Sequence, residues 1–140
     1  KETDLNIALI AGRFTLLDQS AQAELYPLAL AKNVSIIAAG VFNSGVLANP
    51  VEGAYYDYEI APQEIIDKAR AIAKFLEKFS VTLASAALQF PLRHPAVASV
   101  LTGAGSTAEL RANIASFDAE LPDELWSEME KEGLIQPINL

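Results

Sequence analysis

The stretch SVLTGAGSTAELRANI, residues 99–114, joins an apolar run to a helix through a turn that contains two glycines. The run at 97–102 is typical of a short buried strand. Ser106 and Glu109 follow the turn in the S-x-x-E spacing of a capping box, which marks the start of a helix over 106–117. A strand, a glycine turn and a helix in this order predict one βα unit.

The glycine turn of this unit has two interpretations. Gly103 and Gly105 allow the main chain to approach a ligand closely, and free amides at the start of the helix favour an anion such as phosphate. The spacing is not a complete G-x-G-x-x-G motif, because residue 108 is alanine, and the turn lacks a Walker lysine. In the second interpretation the glycines only form a tight turn, and Ser106 and Glu109 only cap the helix.

The rest of the chain repeats the alternation of strands and helices. Apolar runs predict strands over 5–10 and 34–39, and helical spacing predicts helices over 20–32, from Pro62 to about residue 76, over 81–90 and over 122–132. Pro27 is expected to kink or shorten the first helix. This order predicts an α/β fold with a parallel sheet, and the unbroken apolar strands predict that both sheet faces are covered. Either helices enclose a small open sheet, or these are consecutive units of a larger (β/α) barrel.

Composition restricts the class of protein. The chain has 140 residues, 51% hydrophobic and 20% charged, as expected for one globular domain. Its formal net charge of −8 opposes binding to nucleic acid, and no apolar run approaches the ~20 residues of a membrane helix. The absence of cysteine excludes disulfides and fits a cytoplasmic location. The polar start at 1–4 is unlike a signal peptide, and because residue 1 is not methionine, we expect the chain to be part of a longer protein.

A second candidate loop follows the predicted strand at 34–39. The segment FNSGVL, residues 42–47, begins near the end of that strand, and the connection from 41 to 61 is longer than usual for a compact domain. Because parallel strands end at the same edge of a sheet, the loops near 42 and 105 should lie side by side, which favours ligand binding at both. Tyr55, Tyr56 and Tyr58 either cover that ligand or pack the loop itself.

Other polar residues favour structural roles. His94 is the only histidine and precedes the third strand, at the opposite end from these loops, so we interpret it as structural. With one histidine and no cysteine, neither a metal site nor serine hydrolase chemistry is expected. The acidic residues between 118 and 132 are expected to face solvent, and Trp126, Met129 and Leu134 are expected to dock the last helix.

The segments FNSGVL, ALQFPLRHPAVASVLTGAGSTAELRANI and DELWSEMEKEGLI resemble the aldo-keto reductase family. They look most like the bacterial branch that oxidises sugar hemiacetals, the aldose or fucose 1-dehydrogenases. The match runs over nearly the whole chain in the correct order. It implies that residues 1–140 are the C-terminal part of one (β/α)8 TIM barrel domain, with the three strands as its sixth, seventh and eighth.

The resemblance also implies a nicotinamide cofactor, bound in an extended form across the strand ends. Hydride would move between the nicotinamide and a small aldehyde, ketone or sugar hemiacetal. The residues at matching positions are Phe42, Ser44 and Gly45 for the pyrophosphate, Gly103, Gly105 and Ser106 for the adenosine ribose and its 2′ substituent, and Asn113 for the adenine.

Four positions need separate comment. Glu109 stands where members that prefer NADP carry an arginine, and a carboxylate repels a 2′-phosphate but accepts a hydrogen bond from a 2′-hydroxyl. We therefore expect NAD to be preferred over NADP. Ala39 replaces an aromatic residue that many members stack on the nicotinamide, so that contact must be absent or supplied elsewhere. Arg13 and Phe14 lie where the family approaches the nicotinamide and the substrate.

The catalytic Asp, Tyr, Lys and His of the family come from earlier strands, and nothing in residues 1–140 matches those motifs. Without a positioned general acid or base, the chain alone is expected to be inactive. A barrel cut at this point leaves strand edges and an inner face exposed, so we expect self-association or association with the missing N-terminal half. Two other classes stay open: a nucleotide-binding module without catalysis, and an interaction protein whose glycine turn is only a turn.

Overall fold

The computed structural model describes residues 4–140; residues 1–3, part of the polar start, lie outside that range. Strands and helices alternate along the chain as predicted. The strands are β1 (Ile7–Ala11), β2 (Ser35–Ala39), β3 (Tyr55–Tyr56), β4 (Glu59–Ile60) and β5 (Val97–Leu101). The α-helices are α1 (Leu25–Ala31), α2 (Gln63–Leu76), α3 (Leu83–Gln89), α4 (Thr107–Phe117) and α5 (Leu125–Lys131).

The three longer strands form one parallel sheet in the order β1-β2-β5. Ile7 lies beside Ser35 at one end of the first pair, and Ala39 lies between Ala11 and Leu101 at the other. The pairing of β2 with β5 shifts register between residues 36 and 37. All three strands therefore end at the same edge of the sheet. This confirms the predicted α/β fold with its parallel sheet.

One face of the sheet contributes to the hydrophobic core. Ile36 and Ala38 of β2 are almost fully buried, in the same cluster as Ile66, Ala69 and Ile72 on one face of α2. Burial of each such isoleucine contributes about 1.5–3 kcal/mol relative to exposure. The spacing of three residues on α2 is the apolar stripe expected from the sequence.

The opposite face of the sheet is exposed, so the prediction that both faces are covered is wrong. Ile7 is 58% exposed, Leu9 is 54% exposed and Leu101 is 50% exposed. The strand register places these three side chains on one face, because residues 7 and 9 pair with 35 and 37, and residue 101 pairs with 39. The strand predicted to be buried over 5–10 instead runs from Ile7 to Ala11 and alternates exposed with half-buried residues.

Several predicted boundaries also change. The helix expected over 20–32 is a 3₁₀ turn at Ser20–Gln22 followed by α1. Pro27 lies in the first turn of α1, where main-chain N–H groups have no partner within the helix, so its lack of an N–H removes no helical hydrogen bond. The helix expected over 81–90 is α3, capped by Thr82, whose Oγ1 accepts from the Ser85 N–H at 3.1 Å. The long connection at 41–61 contains the β3–β4 hairpin.

His94 has the structural role expected of it. Its side chain is fully buried against the rings of Phe14 and Tyr26. The Ala96 N–H donates to Nδ1 at 3.2 Å, so Nε2 carries the hydrogen and donates to the Asn139 carbonyl at 3.0 Å. Burial lowers the pKa of His94, and the ring is neutral in this environment.

The last helix docks through apolar residues, as predicted. Leu125 and Met129 of α5 are fully buried, and Leu134 is half-buried against the same core. The Trp126 ring lies 5.9 Å from that of Phe90. Within residues 4–140 no helix is both long and apolar enough to span a membrane.

Candidate functional site

The loops that follow β2 and β5 lie at the same edge of the sheet. The two strands are neighbours and parallel, and Ala39 pairs with Leu101 where both strands end. Neighbouring strands are about 4.8 Å apart, so the segments that leave them start side by side. The residues predicted for the pyrophosphate and for the adenosine ribose therefore belong to adjacent loops.

The loop after β1 joins the same edge through a close approach of two main chains. The Gly12 N–H donates to the Ala39 carbonyl at 2.9 Å. A Cβ atom on Gly40, whose φ is +61°, would lie 3.1 Å from the Gly12 nitrogen. Only glycine fits at position 40 without strain, because a side chain would meet both an unfavourable φ and a neighbouring main chain.

The loop after β2 folds through three consecutive left-handed residues. Asn43, Ser44 and Gly45 have φ values of 47°, 60° and 108°. Local hydrogen bonds support this path, since the Asn43 N–H donates to the Gly40 carbonyl at 2.9 Å and the Gly45 N–H donates to that of Phe42 at 3.0 Å. A Cβ on Gly45 would meet no atom within 4 Å, so open space lies next to the main chain there.

Asn43 belongs to this loop, although the sequence analysis did not select it. Its side chain is 3% exposed, and Nδ2 donates to the Gly12 carbonyl at 3.4 Å, which links the loops after β1 and β2. Its Oδ1 is buried without a protein partner. The N-S-G sequence was the available signal, because asparagine and glycine tolerate left-handed backbone better than other residues.

The loop after β5 contains the predicted capping arrangement. Ser106 Oγ accepts from the Glu109 N–H at 3.1 Å, and Glu109 Oε2 accepts from the Gly105 N–H at 2.6 Å. The carboxylate thus reaches one residue further than in a standard capping box, where it would bind the N–H of the capping residue itself. A negative charge already lies at the N-terminus of α4, where the helix dipole favours an anion.

Asn113 of α4 forms hydrogen bonds with the same loop. Its Nδ2 lies 3.3 Å from both Thr102 Oγ1 and the Gly103 carbonyl oxygen. Gly103 itself is open, since a Cβ there would meet no atom within 4 Å. These contacts place Gly103, Gly105, Ser106, Glu109 and Asn113 in one exposed segment around the start of α4.

Arg13 and Phe14 lie in different environments in the structure. Arg13 is half exposed, and its Nη1 lies 3.0 Å from carboxylate oxygens of both Asp18 and Asp57. Phe14 is 2% exposed, with its ring centroid 4.7 Å from that of Tyr26. Of the two residues expected near the substrate, only Arg13 reaches the surface. Phe14 packs in the core instead.

The burial of Phe14 has a local cause. Thr15 Oγ1 accepts from the N–H groups of Leu17 and Asp18 at 3.2 and 3.0 Å, which folds the segment after β1 back on itself. This turn carries the apolar residues 14, 16 and 17 into the core together. The family resemblance had placed Phe14 near the nicotinamide and the substrate.

The pair of carboxylates around Arg13 was not predicted. Burial raises the pKa of Asp18, but hydrogen bonds from Ser20 and Arg13 outweigh it, and the net pKa is lowered. Hydrogen bonds to Asp18 and Asp57 raise the pKa of Arg13. Both shifts favour the charged forms of Arg13 and Asp18. Among residues 4–140, no group of three or more His, Asp or Glu side chains has the geometry of a metal site.

The chain is similar in sequence to known proteins. The sequence pattern of the Aldo/keto reductase family matches residues 1–132. Pyridoxal 4-dehydrogenase from Microbacterium luteolum is 45% identical over 136 residues, covering 96% of this chain and 40% of that protein. D-threo-aldose 1-dehydrogenase from a Pseudomonas species is 39% identical over 137 residues, covering 96% of this chain and 42% of that protein. The chain thus spans about two fifths of these relatives.

The fold also matches part of solved aldo-keto reductase structures. The holo form of aldo-keto reductase AKR11C1 from Bacillus halodurans matches with a TM-score of 0.67 and 29% identity, over 90% of this chain and 42% of that one. Its apo form matches with the same TM-score. The described residues correspond to the C-terminal part of the TIM barrel of these neighbours. This confirms the predicted fold class.

Proposed function

Because the chain belongs to the aldo/keto reductase family, we propose that it is the cofactor-binding C-terminal part of an NAD(P)-dependent oxidoreductase. The substrate class is a small aldehyde, ketone or sugar hemiacetal, as in an aldose 1-dehydrogenase. The observation that carries the proposal is that the loops after β2 and β5 are adjacent at one edge of the sheet. We place the protein in the cytoplasm as part of the same proposal, since its 140 residues include no cysteine.

The two loops divide the dinucleotide between them. Phe42, Ser44 and Gly45 hold the pyrophosphate, with the open main chain at Gly45 allowing close approach. Gly103, Gly105 and Ser106 surround the adenosine ribose, and Asn113 faces the adenine. These exposed or half-buried residues fit such a cofactor because main-chain amides and hydroxyl groups bind phosphate and ribose oxygens. The nicotinamide, when bound, supplies the hydride donor or acceptor.

Arg13 lies on the substrate side of this arrangement. It follows β1, and the Gly12–Ala39 hydrogen bond holds its loop against that of β2. Its guanidinium is charged, half exposed and fixed by two carboxylates, so it can orient a carbonyl or hydroxyl oxygen through its remaining N–H groups. Phe14 supports this loop from the core.

NAD is the preferred cofactor in this proposal. The Glu109 carboxylate accepts the Gly105 N–H, a group that would otherwise be free to bind a phosphate. A 2′-phosphate would lie beside a negative charge, whereas a 2′-hydroxyl donates a hydrogen bond to it.

Catalysis needs groups beyond those in this chain. Tyr26 is fully buried, and burial raises its pKa well above the ordinary value for tyrosine. His94 is buried, neutral and bonded at both nitrogens. Neither can exchange a proton with a substrate at the exposed loops. We therefore propose that the chain alone is inactive and that the catalytic acid or base lies in an N-terminal half of the same barrel domain.

Titration with NAD⁺ by isothermal calorimetry tests the proposal. The wild-type chain should bind NAD⁺, and Ser44→Ala should weaken binding about tenfold or more through the loss of one hydrogen bond to a charged group. Ser127→Ala is the control, because Ser127 Oγ donates to the Glu124 carbonyl on α5, far along the chain from both loops. A wild-type chain that does not bind NAD⁺ at millimolar concentration would overturn the proposal.

A protein-interaction role is the second candidate, favoured by the exposed sheet face. The chain exposes 8072 Å², whereas a folded monomer of 15.0 kDa is expected to expose about 7,000 Å². The excess of about 1,000 Å² is summed over the whole chain, including this face, and is similar to the ~800 Å² that each partner contributes to a standard interface. We propose that this face is covered by a second copy of the chain or by the N-terminal half of the barrel. Sedimentation of the wild-type chain should show dimers or larger species at micromolar concentration. Leu9→Lys should dissociate them, because it places a charge on the exposed face. A monomeric wild-type chain would contradict the interaction role.

A further inference from the structure

The β3–β4 hairpin holds a strained turn next to the loop after β2. Tyr55 pairs with Ile60 and Tyr56 with Glu59, so Asp57 and Tyr58 form the two-residue turn between the strands. Both turn residues have left-handed backbone, with φ values of 49° and 67°. Hairpin turns of this kind prefer Asn-Gly or Asp-Gly, and a bulky residue with positive φ persists only where its surroundings hold it.

Two contacts hold this turn, one at each residue. The Asp57 carboxylate is 3.0 Å from Arg13 Nη1, and the Tyr58 N–H donates to Ser44 Oγ at 3.1 Å. The Tyr58 side chain is 90% exposed, so the turn is attached through its main chain rather than through the aromatic ring. The hairpin thus connects Arg13 to Ser44, two residues of the candidate site that lie 31 positions apart.

The contact to Ser44 determines how its hydroxyl can be used. A serine hydroxyl has one hydrogen to donate and two lone pairs that accept. Because Oγ already accepts the Tyr58 N–H, its own hydrogen is directed away from that N–H and stays available to an acceptor. We propose that the hairpin Tyr55–Ile60 positions the Ser44 hydroxyl to donate to a phosphate oxygen of the bound dinucleotide. This inference rests on the proposed function.

The ion pair with Arg13 makes this arrangement compatible with a phosphate. Asp57 lies next to Tyr58 in the turn, and a carboxylate near a phosphate would repel it. The Arg13 guanidinium lies between Asp57 and Asp18 and offsets part of their charge. Asp18 is fixed in turn by the Ser20 N–H at 2.9 Å, so the hairpin is fastened to the segment after β1. Breaking the Arg13–Asp57 pair should release the turn and free the Ser44 hydroxyl to rotate.

A double-mutant cycle on the 140-residue chain tests the inference, with ADP-ribose as the phosphate-bearing probe and calorimetry as the measurement. Ser44→Ala should weaken binding of ADP-ribose about tenfold or more, and Asp57→Asn should weaken it by a smaller factor, because the lost carboxylate also repelled the phosphate. The double variant should bind no more weakly than Ser44→Ala alone, because the hairpin acts through that hydroxyl. Glu59→Gln is the matched control: it removes a carboxylate of the same hairpin that forms no ion pair with Arg13.

A second readout separates positioning from a merely structural role. NMR titration with adenosine, which has no phosphate, should give the same affinity for the wild type and for Asp57→Asn. Arg13→Gln breaks the same ion pair from the other side and should weaken binding of ADP-ribose more than Asp57→Asn does, because it leaves the Asp18 and Asp57 carboxylates without their counter-charge. It also covers the case in which Asp57→Asn misfolds. Additive effects of Ser44→Ala and Asp57→Asn, or equal losses for adenosine, would overturn the inference alone. A wild-type chain that binds neither probe would overturn the proposed function as well.

Discussion

Replacement of Glu109 by glutamine changes the charge at the start of α4 and little else. The amide oxygen of glutamine can accept the Gly105 N–H that the carboxylate accepts at 2.6 Å, so the local hydrogen bond can persist. Ser106 Oγ can still accept the N–H of residue 109. Glu109→Gln is therefore a test of charge rather than of helix capping.

The expected magnitude follows from Coulomb's law. Two unit charges ~4 Å apart interact by about 1 kcal/mol in a water-like medium, which is appropriate for this exposed segment. A 2′-phosphate carries about 1.5–2 negative charges, so its repulsion by Glu109 amounts to roughly 1.5–2 kcal/mol. Removal of the charge should raise the affinity for NADP⁺ about 10- to 30-fold. The affinity for NAD⁺, which has no 2′-phosphate, should change less than threefold.

Calorimetric titrations with both cofactors at ~50 mM and ~500 mM salt provide the assay, because screening weakens exposed charge interactions. The gain in NADP⁺ affinity should shrink at high salt, and Glu128→Gln, on the distant helix α5, should leave both affinities unchanged. Equal affinities of the wild type for NAD⁺ and NADP⁺ would refute the reasoning. So would a Glu109→Gln variant that binds NADP⁺ no better than the wild type.

Three further predictions concern stability, each measured by urea denaturation. Gly40→Ala should lower the free energy of unfolding by more than the ~1 kcal/mol expected for Gly133→Ala. Both positions have positive φ, but only a Cβ at position 40 would meet a neighbouring main chain. Equal losses for the two variants would contradict this. Ser106→Ala should cost about 1 kcal/mol through the lost cap of α4, and an unchanged midpoint would argue against the cap. Burial lowers the pKa of His94, so its neutral form stabilises the fold above the unfolded value of ~6.5, and that stability is lost as pH falls through the folded value. His94→Gln should reduce this loss below pH 6.5 relative to the wild type, and an identical pH profile would count against it.

Local patterns in the sequence predicted the parts of the fold that depend on neighbouring residues. The Ser106–Glu109 spacing predicted the cap of α4, and the three-residue spacing of Ile66, Ala69 and Ile72 predicted the buried face of α2. The order of strands and helices was sufficient for the parallel sheet, because crossovers between parallel strands need such helices.

The features that depend on residues distant in the sequence were predicted wrongly or were not predicted. The unbroken apolar sequence of Ile7–Ala11 predicts two covered faces, but Ile7 and Leu9 are exposed because no part of residues 4–140 packs over them. The hairpin was missed because its strands have two residues each and its turn lacks glycine.

The candidate site depends both on local sequence patterns and on contacts between distant residues. The two glycine loops could be located from the strand ends, and the topology brings them together. The ion pair between Arg13 and Asp57 joins residues 44 positions apart, and no local pattern marks such a pair. The family resemblance placed Phe14 near the substrate, whereas the turn at Thr15 carries its ring into the core.

NMR titration of the ¹⁵N-labelled chain with NAD⁺ tests most directly whether the loops after β2 and β5 form one dinucleotide site. The amide signals of Ser44, Gly45, Gly103 and Gly105 should shift together and fit a single dissociation constant, while those of α5 stay in place. Shifts confined to one of the two loops, or no shifts at millimolar NAD⁺, would contradict the account.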